Sequence, residues 1–149
     1  MRPGEELRYL VLAAQREGNR IFAAQLKPLG LTPAWAEAIT VLAEREPLTI
    51  SDLGHLLVCE GDHPSRLVSR MVSAGLLTAQ PSPDDVRARC LRLTPAARKL
   101  LPAVRRIEND LHNGIEQRFS PATMRACRAV LGSFVEGLPA GEALSRRRG

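Results

Sequence analysis

One stretch in the middle of the chain has the pattern of a short amphipathic helix whose polar face carries positive charge. Residues 62–75 read DHPSRLVSRMVSAG. At about 3.6 residues per turn, one side of this helix collects the apolar side chains Leu67, Val68, Met71 and Val72. The other side collects hydroxyls and arginines, with no acid after Asp62: Ser65, Arg66, Ser69, Arg70 and Ser73. Because a merely solvated face usually mixes acids and bases, the pattern predicts a surface that contacts a negatively charged partner.

The residues after this helix predict two short strands joined by a turn. Residues 76–94 read LLTAQPSPDDVRARCLRLT, with prolines and aspartates in the turn and three arginines after it: Arg87, Arg89 and Arg92. A helix of this length fits the major groove of DNA, and a cation at a hairpin tip reaches the minor groove or a phosphate. The combination predicts a winged helix-turn-helix in which Asp85 aims the guanidinium of Arg87.

Three helices are predicted to begin with a hydroxyl followed by proline: Thr32-Pro33, Thr94-Pro95 and Ser120-Pro121. The hydroxyl at the N-cap accepts a bond from a free backbone N–H, and proline at the first helical position loses no bond. These starts predict helices over residues 32–45, 94–119 and 120–138. Thr49 and Asp52 predict a capped short helix, and a first helix is expected over residues 5–27. The predicted fold class is mainly α with a small β-hairpin.

The helices at the two ends of the chain are predicted to need a partner. Apolar residues cover most of the girth of the first helix, and the helix after Thr94 has an apolar stripe with steps near 3.5 residues. In a small protein, such surfaces are typical of a homodimer interface.

The composition excludes several classes of function. The 21 lysines and arginines exceed the 16 acids, and the net charge of +5 permits nucleic-acid binding without proving it. Aromatic residues make up 3% of the chain, too few for platforms that stack single strands or RNA. With no membrane-length apolar run and no signal-peptide pattern, we expect a cytoplasmic protein. Hydrolase and phosphate-loop motifs are missing, so we predict neither an enzyme nor a cofactor.

Three cysteines are too widely spaced to indicate a disulfide framework: Cys59, Cys90 and Cys127. The spacing of His55, Cys59 and His63 leaves open a metal- or thiol-sensing regulator, with Cys90 as a fourth ligand. Gly61 and Pro64 indicate a break that would separate these side chains, so we predict no metal site. A protein-interaction module without DNA binding is a further alternative.

The order of the predicted elements, together with three segments, resembles the MarR family of bacterial transcriptional regulators. The segments are LTISDLGHLLV at residues 48–58, RLVSRMVSAGLL at 66–77 and PSPDDVRARCLRLTPAARKLL at 81–101. The wing signature of the family, D-x-R followed by L-T, appears as Asp85-Val86-Arg87 and Leu93-Thr94. Val86 stands where members often have another arginine.

The resemblance implies a homodimer whose terminal helices interlock and whose winged helices bind the two halves of a palindromic operator. The residues expected to contact DNA are His63, Ser65, Arg66, Ser69, Arg70, Arg87 and Arg89. Members commonly bind small, often aromatic ligands between the dimer helices and the DNA-binding lobe, and the ligand releases DNA. The candidate ligand-binding residues are Tyr9, Arg16, Phe22 and Trp35.

The resulting organisation is a single domain over residues 1–149. Residues 5–31 and 95–138 are expected to form dimerisation helices, residues 32–94 the winged-helix lobe, and residues 139–149 a flexible tail. Family members that sense peroxide use a cysteine in the first helix, whereas the first cysteine here is Cys59. The expected function is a transcriptional repressor that a small ligand releases from DNA.

Overall fold

The computed structural model describes residues 1–59 and 63–149, which form seven α-helices and three short strands. The helices are α1 (Pro3–Leu26), α2 (Pro33–Arg45), α3 (Ile50–Gly54), α4 (Pro64–Ser73), α5 (Pro95–Arg118), α6 (Pro121–Val135) and α7 (Pro139–Arg148). The strands are β1 (Leu48–Thr49), β2 (Leu77–Pro81) and β3 (Arg89–Leu93). A 3₁₀ turn, Lys27–Leu29, follows α1. None of the helices in these ranges is long and apolar enough to cross a membrane.

The strands form one antiparallel sheet in the order β1-β3-β2. Leu77 lies opposite Leu93 in the predicted hairpin, and Leu48 of β1 lies opposite Leu91. The predicted fold class, mainly α with a small hairpin, is confirmed. Sequence reasoning missed β1 because a strand of two residues shows no periodicity.

The predicted hydroxyl caps are present at all three helix starts. The side chain of Thr32 accepts from the Trp35 N–H at 3.2 Å, and that of Thr94 accepts from the Ala97 N–H at 3.2 Å. The Ser120 hydroxyl accepts from the backbone of α6 in the same way, at 3.1 Å. These caps explain why the predicted starts of α2, α5 and α6 agree with the structure.

A left-handed glycine connects α4 to the sheet. Gly75 has φ 75°, and the Leu76 N–H donates to the Met71 carbonyl at 2.9 Å. Together with the bond from the Gly75 N–H to the Val72 carbonyl at 3.0 Å, this is a Schellman ending. The chain therefore reverses directly from α4 into β2, which places the hairpin beside α4.

The core lies between α2 and the elements that follow it. Its largest fully buried side chains come from six different elements: Leu26, Ile39, Leu42, Leu53, Met71, Leu91 and Val104. The terminal helices bury little. Leu26 is the buried residue of α1, and α6 has none in the part of the chain that the structure describes.

The prediction of a flexible tail at residues 139–149 is wrong, because this segment forms α7. Pro139 occupies the start of the helix, Glu142 lies in its first turn and three arginines lie in its last turn. This charge order complements the helix dipole. Ala143 is buried, and the guanidinium of Arg147 lies 2.6 Å from the carboxylate of Glu37.

Candidate nucleic-acid interface

Helix α4 presents the predicted polar face to solvent. Leu67, Val68 and Met71 are buried against the core, whereas Val72, predicted on the same face, is partly exposed at its edge. The predicted DNA-contacting side chains of α4 are all exposed: Ser65, Arg66, Ser69 and Arg70. The helix therefore has a packed apolar side and an exposed side carrying two arginines.

The start of α4 is fixed by a close contact with α3. His63 is the N-cap and Pro64 the first helical residue. A Cβ added to Gly54 would lie 2.9 Å from Cγ of Pro64, so a side chain at Gly54 would push the two helices apart. The predicted cap Asp62 lies outside the described residues. His63 is exposed at the same end as Arg66.

A small cavity of about 210 Å³ lies between the start of α2 and the exposed side of α4. Its lining joins the Trp35 ring to three predicted DNA-binding residues, His63, Arg66 and Arg70. Three cationic or titratable side chains thus share one concave surface with an aromatic ring. Such a surface favours a negatively charged group.

The tip of the hairpin, residues 82–88 (the wing), is held by its own backbone. The Asp85 carboxylate accepts from the Arg87 N–H at 2.9 Å, and the Ser82 N–H donates to the Ala88 carbonyl at 2.9 Å. Asp85 therefore shapes the backbone at Arg87. Its predicted role was to aim the guanidinium of Arg87. Arg87 and Arg89 are both exposed. The wing therefore offers Arg87 to a partner, and the start of β3 offers Arg89.

The base of the hairpin is tied to the end of α2 by Glu46, which sequence analysis did not single out. Its carboxylate accepts from the Leu93 N–H at 2.8 Å and is paired with Arg98 of α5. Burial acts to raise the pKa of Glu46, but the bonds from Leu93 and Arg98 outweigh it and hold the pKa below its ordinary value of 4.5. The wing is thereby fixed relative to α2 and α5.

Comparisons with known proteins agree with this geometry. A family model described as a winged helix DNA-binding domain matches residues 31–97. The MepR–DNA complex of S. aureus superposes with a TM-score of 0.81 at 20% identity, over 88% of this chain and 97% of that one. A mutant of E. coli MarR complexed with operator DNA gives 0.77 at 20% identity, over 87% and 94%. This chain has the winged-helix fold of these two DNA-bound proteins.

A curated relative of this chain is the organic hydroperoxide resistance transcriptional regulator of Bacillus subtilis (strain 168). It is 29% identical over 94 residues, which are 63% of this chain and 64% of the relative. The chain therefore matches less than two thirds of that relative's length. The resemblance to MarR regulators is confirmed. The relative is named as a transcriptional regulator, and both solved structures are of complexes with DNA.

The predicted ligand-binding residues of this chain have three different environments. Tyr9 and Arg16 are exposed on α1, Phe22 packs against the core, and Trp35 lines the cavity beside α4. A larger cavity, about 660 Å³, lies between the end of α3 and the α6–α7 corner, and its lining includes Val58, Leu138 and Arg146. Sequence reasoning missed this cavity because it had treated α7 as a flexible tail.

The alternative of a metal or thiol sensor gains no support from the geometry. Cys90 lies in β3 opposite Thr49 of β1 and Gln80 of β2, whereas His55 follows α3. Within residues 1–59 and 63–149, no three metal-binding side chains converge. Partial burial, together with the Glu37 carboxylate, raises the pKa of the Cys59 thiol to about 12 although the residue as a whole is exposed. A thiol that stays protonated at neutral pH reacts slowly with oxidants.

Proposed function

We propose that this chain is a homodimeric transcriptional repressor that acts in the cytoplasm on a palindromic operator and is released by a small ligand. The observation that carries the proposal is the exposed arginine face of α4, with the exposed Arg87 of the wing and Arg89 of β3 in the same lobe. In winged-helix proteins, such a helix binds the major groove and the wing lies over the neighbouring backbone or minor groove. Arg66 and Arg70 would contact guanine edges or phosphates, and Arg87 would bind beside them.

Exposed apolar side chains on the terminal helices support the homodimer. Large hydrophobic residues that remain exposed on α1 include Leu7, Leu10, Leu12 and Ile21. A second exposed set lies at the end of α5, on α6 and in the turn after it: Ile115, Phe119, Val130, Leu131, Phe134 and Leu138. Soluble chains rarely leave so many apolar groups on adjoining helices uncovered. A second copy with a twofold axis would cover both sets at once.

The palindrome follows from the dimer. Two α4 helices related by a twofold axis bind half-sites of opposite direction, separated by about 34 Å or one helical turn of DNA. Ser65 and Ser69 would accompany the arginines, and Arg89 would bind phosphate at the edge of the wing. These residues remain predictions, and their substitution tests them one at a time.

The release step is proposed by analogy with the regulators that this chain resembles. Both cavities described above border the DNA-binding lobe, so a small aromatic ligand in either would bias the position of α4. A peroxide signal is not proposed, although a relative's name includes hydroperoxide resistance. The first helix here has no cysteine, and the thiol of Cys59 is held protonated.

The test is a fluorescence anisotropy titration of labelled DNA from upstream of the protein's own gene, at roughly physiological salt. A shuffled duplex of equal length serves as the control. The proposal expects binding to the native duplex at least about a thousandfold tighter than to the control. Equal and strongly salt-sensitive binding to both duplexes would contradict it, because a basic protein binds any polyanion in that way.

A further inference from the structure

Glu37, a buried carboxylate in the middle of α2, binds the segment that leads into α4. The side chain of Glu37 is 7% exposed, and its two oxygens accept from the backbone of consecutive residues. The Val58 N–H donates to Oε1 at 2.8 Å, and the Cys59 N–H donates to Oε2 at 2.8 Å. Residues 58 and 59 belong to the connection between α3 and α4. Glu37 therefore fixes the backbone of residues 58 and 59.

The same carboxylate is bound by the C-terminal helix. Nη1 of Arg147 donates to Oε1 of Glu37 at 2.6 Å across 110 residues of chain. A buried carboxylate that lost this cation would retain two neutral donors and a desolvated charge. The arginine is the only ion-pair partner of Glu37 among the described residues.

Two further contacts hold α7 in this position. Nη2 of Arg45 donates to the Arg147 carbonyl at 3.2 Å, and Nη1 of Arg146 reaches the His55 carbonyl at 3.4 Å. Gly141 lies against the backbone of Val135, where a Cβ would overlap the carbonyl group. The helix is thus fitted closely to the end of α6 and bonded to α2 and to the residue that ends α3.

We infer that Arg147 is a positioning residue for DNA binding. Through Glu37, α7 holds the backbone of residues 58 and 59, and thereby α4, in the geometry that fits the major groove. A movement that withdraws α7 from the lobe would lower DNA affinity even though Arg147 itself contacts no DNA. This inference rests on the DNA binding proposed above and adds a route by which the terminal helices control it.

The first experiment compares Arg147→Ala with Arg148→Ala in the full-length chain. Both variants remove one arginine from the last turn of α7, but Arg148 makes none of the bonds to the lobe described above. We expect Arg147→Ala to weaken operator binding about tenfold to a hundredfold, the range that one charge-assisted hydrogen bond supports. The slope of log K against log salt and the dimer mass should not change. Arg148→Ala should bind within about twofold of the wild type.

The salt slope separates positioning from direct contact. Losing an arginine that binds phosphate reduces the slope by about one unit. Equal losses of affinity and slope in both variants would mean that the tail arginines contact DNA directly, and would overturn the inference. Arg147→Lys is a control for misfolding, because lysine keeps the positive charge beside Glu37. We expect it to bind with an affinity between those of the wild type and Arg147→Ala.

The second experiment uses the Cys59 thiol as a reporter that needs no DNA. The rate of iodoacetamide labelling at Cys59 is measured by mass spectrometry in each variant and expressed relative to the wild-type rate. The charge of Arg147 lowers the pKa of Cys59, so losing that charge alone would slow the labelling. Opening of the α3–α4 connection would expose the thiol and accelerate the labelling. We expect faster labelling of Cys59 in Arg147→Ala and an unchanged rate in Arg148→Ala.

The two experiments fail in different ways. Slower or unchanged labelling in Arg147→Ala would show that the arginine does not hold the connection, and would overturn the inference whatever the DNA titration gives. Faster labelling, in a protein whose wild type shows no preference for its operator, would contradict the proposed function and still support the link from α7 to the α3–α4 connection.

Discussion

The winged-helix lobe and the terminal helices use amphipathic helices in opposite ways. Helix α2 has 13 residues and buries seven of them, whereas α1 has 24 residues and buries Leu26. The apolar stripes of α1 and α6 are nearly as obvious in the sequence as that of α2. The difference therefore lies in burial. The apolar stripe of α2 is covered by the core of the lobe, whereas the stripes of α1 and α6 stay largely exposed.

The lobe, unlike the terminal helices, is the part of the fold that a single chain specifies by itself. The lobe collects buried side chains from α2, α3, α4, the sheet and α5 into one cluster. The terminal helices leave residues such as Leu10 and Phe134 more than half exposed. Burial of those groups by a second copy would supply stability that the isolated chain lacks.

The largest expected effect comes from comparing the same substitution in the two regions. Leu42 is fully buried and Leu10 is 59% exposed. Leu42→Ala leaves a cavity in the lobe and should lower the free energy of unfolding by about 2–5 kcal/mol. Leu10→Ala should cost well under about 1 kcal/mol when measured by urea denaturation at concentrations where the chain is monomeric.

A large loss of unfolding free energy for Leu10→Ala in the monomer would contradict this difference between the lobe and the terminal helices. It would mean that α1 packs into the fold of its own chain. A loss of stability that appears only at concentrations where the chain is dimeric would support the difference, because it would place Leu10 in the dimer interface.

The next largest effect concerns the proposed dimer. Phe134 of α6 is 54% exposed, and Phe134→Asp places a charge in the middle of the apolar surface. We expect dimerisation to weaken by about 2–4 kcal/mol, the range for truncating a central interface residue. Light scattering would then report the mass of one chain. Ser133→Asp, which adds the same charge one residue earlier, is the control and should leave the mass of the dimer.

Sequence reasoning succeeded where one local rule decides the outcome. The hydroxyl–proline starts placed α2, α5 and α6, and the period of the apolar residues placed Leu67, Val68 and Met71 in the core. The capping box of Thr49 and Asp52 is also present, with the Asp52 N–H donating to the Thr49 hydroxyl at 3.1 Å. Each of these features depends on residues within one helix.

Sequence reasoning failed where residues distant in the chain decide the outcome. Glu37 lies within the apolar helix α2 and Glu46 directly follows its end. Their bonds to residues 147, 58, 59, 93 and 98 depend on the completed fold. The short strand β1 exists because β3 lies beside it. Helix α7 is the exception, since its proline start and terminal arginines were readable signals that the glycines obscured.

The third prediction tests the exposed face of α4. Arg70→Ala removes a guanidinium that lies beside Trp35 and Arg66 at the edge of the small cavity. We expect operator binding to weaken by about 1–3 kcal/mol, and discrimination against the shuffled duplex to fall. The dimer mass and the unfolding midpoint should match the wild type. A monomeric or unfolded variant would show that Arg70 stabilises the fold or the dimer and does not act by contacting DNA.

The fourth prediction concerns the wing and is smaller. Arg87→Ala keeps the backbone bond from residue 87 to Asp85, because that bond uses the N–H rather than the side chain. We expect a loss of affinity of a few-fold and a salt slope lower by about one unit, similar for both duplexes. Arg106→Ala on α5, exposed but outside the α4 and wing surfaces, is the control. An unchanged slope for Arg87→Ala would remove the wing from the interface.

The smallest effects come from two glutamates with opposite pKa shifts, one at the base of the hairpin and one on α5. The pKa of Glu46 is lowered in the folded state, so its contribution to stability is present above the unfolded pKa and is lost as the pH falls through the folded pKa. Burial raises the pKa of Glu108, with Glu44 adding to the rise and His112 and Arg147 opposing it. Ionised Glu108 therefore costs stability as the pH rises through its folded pKa.

These signs predict that the two neutral variants move in opposite directions. At pH 7, Glu46→Gln should lower the free energy of unfolding by about 1 kcal/mol, since a charge-assisted bond becomes a neutral one. Glu108→Gln should raise it slightly. The difference between Glu46→Gln and the wild type should shrink as the pH falls through the folded pKa of Glu46, and the difference for Glu108→Gln should vanish below the ordinary carboxyl pKa of 4.5. A Glu108→Gln variant that loses stability at pH 7 would show that the attraction of the His112 and Arg147 charges for the Glu108 carboxylate outweighs the cost of its burial. The surface between α5 and α7 would then be held by charge, as the base of the hairpin is.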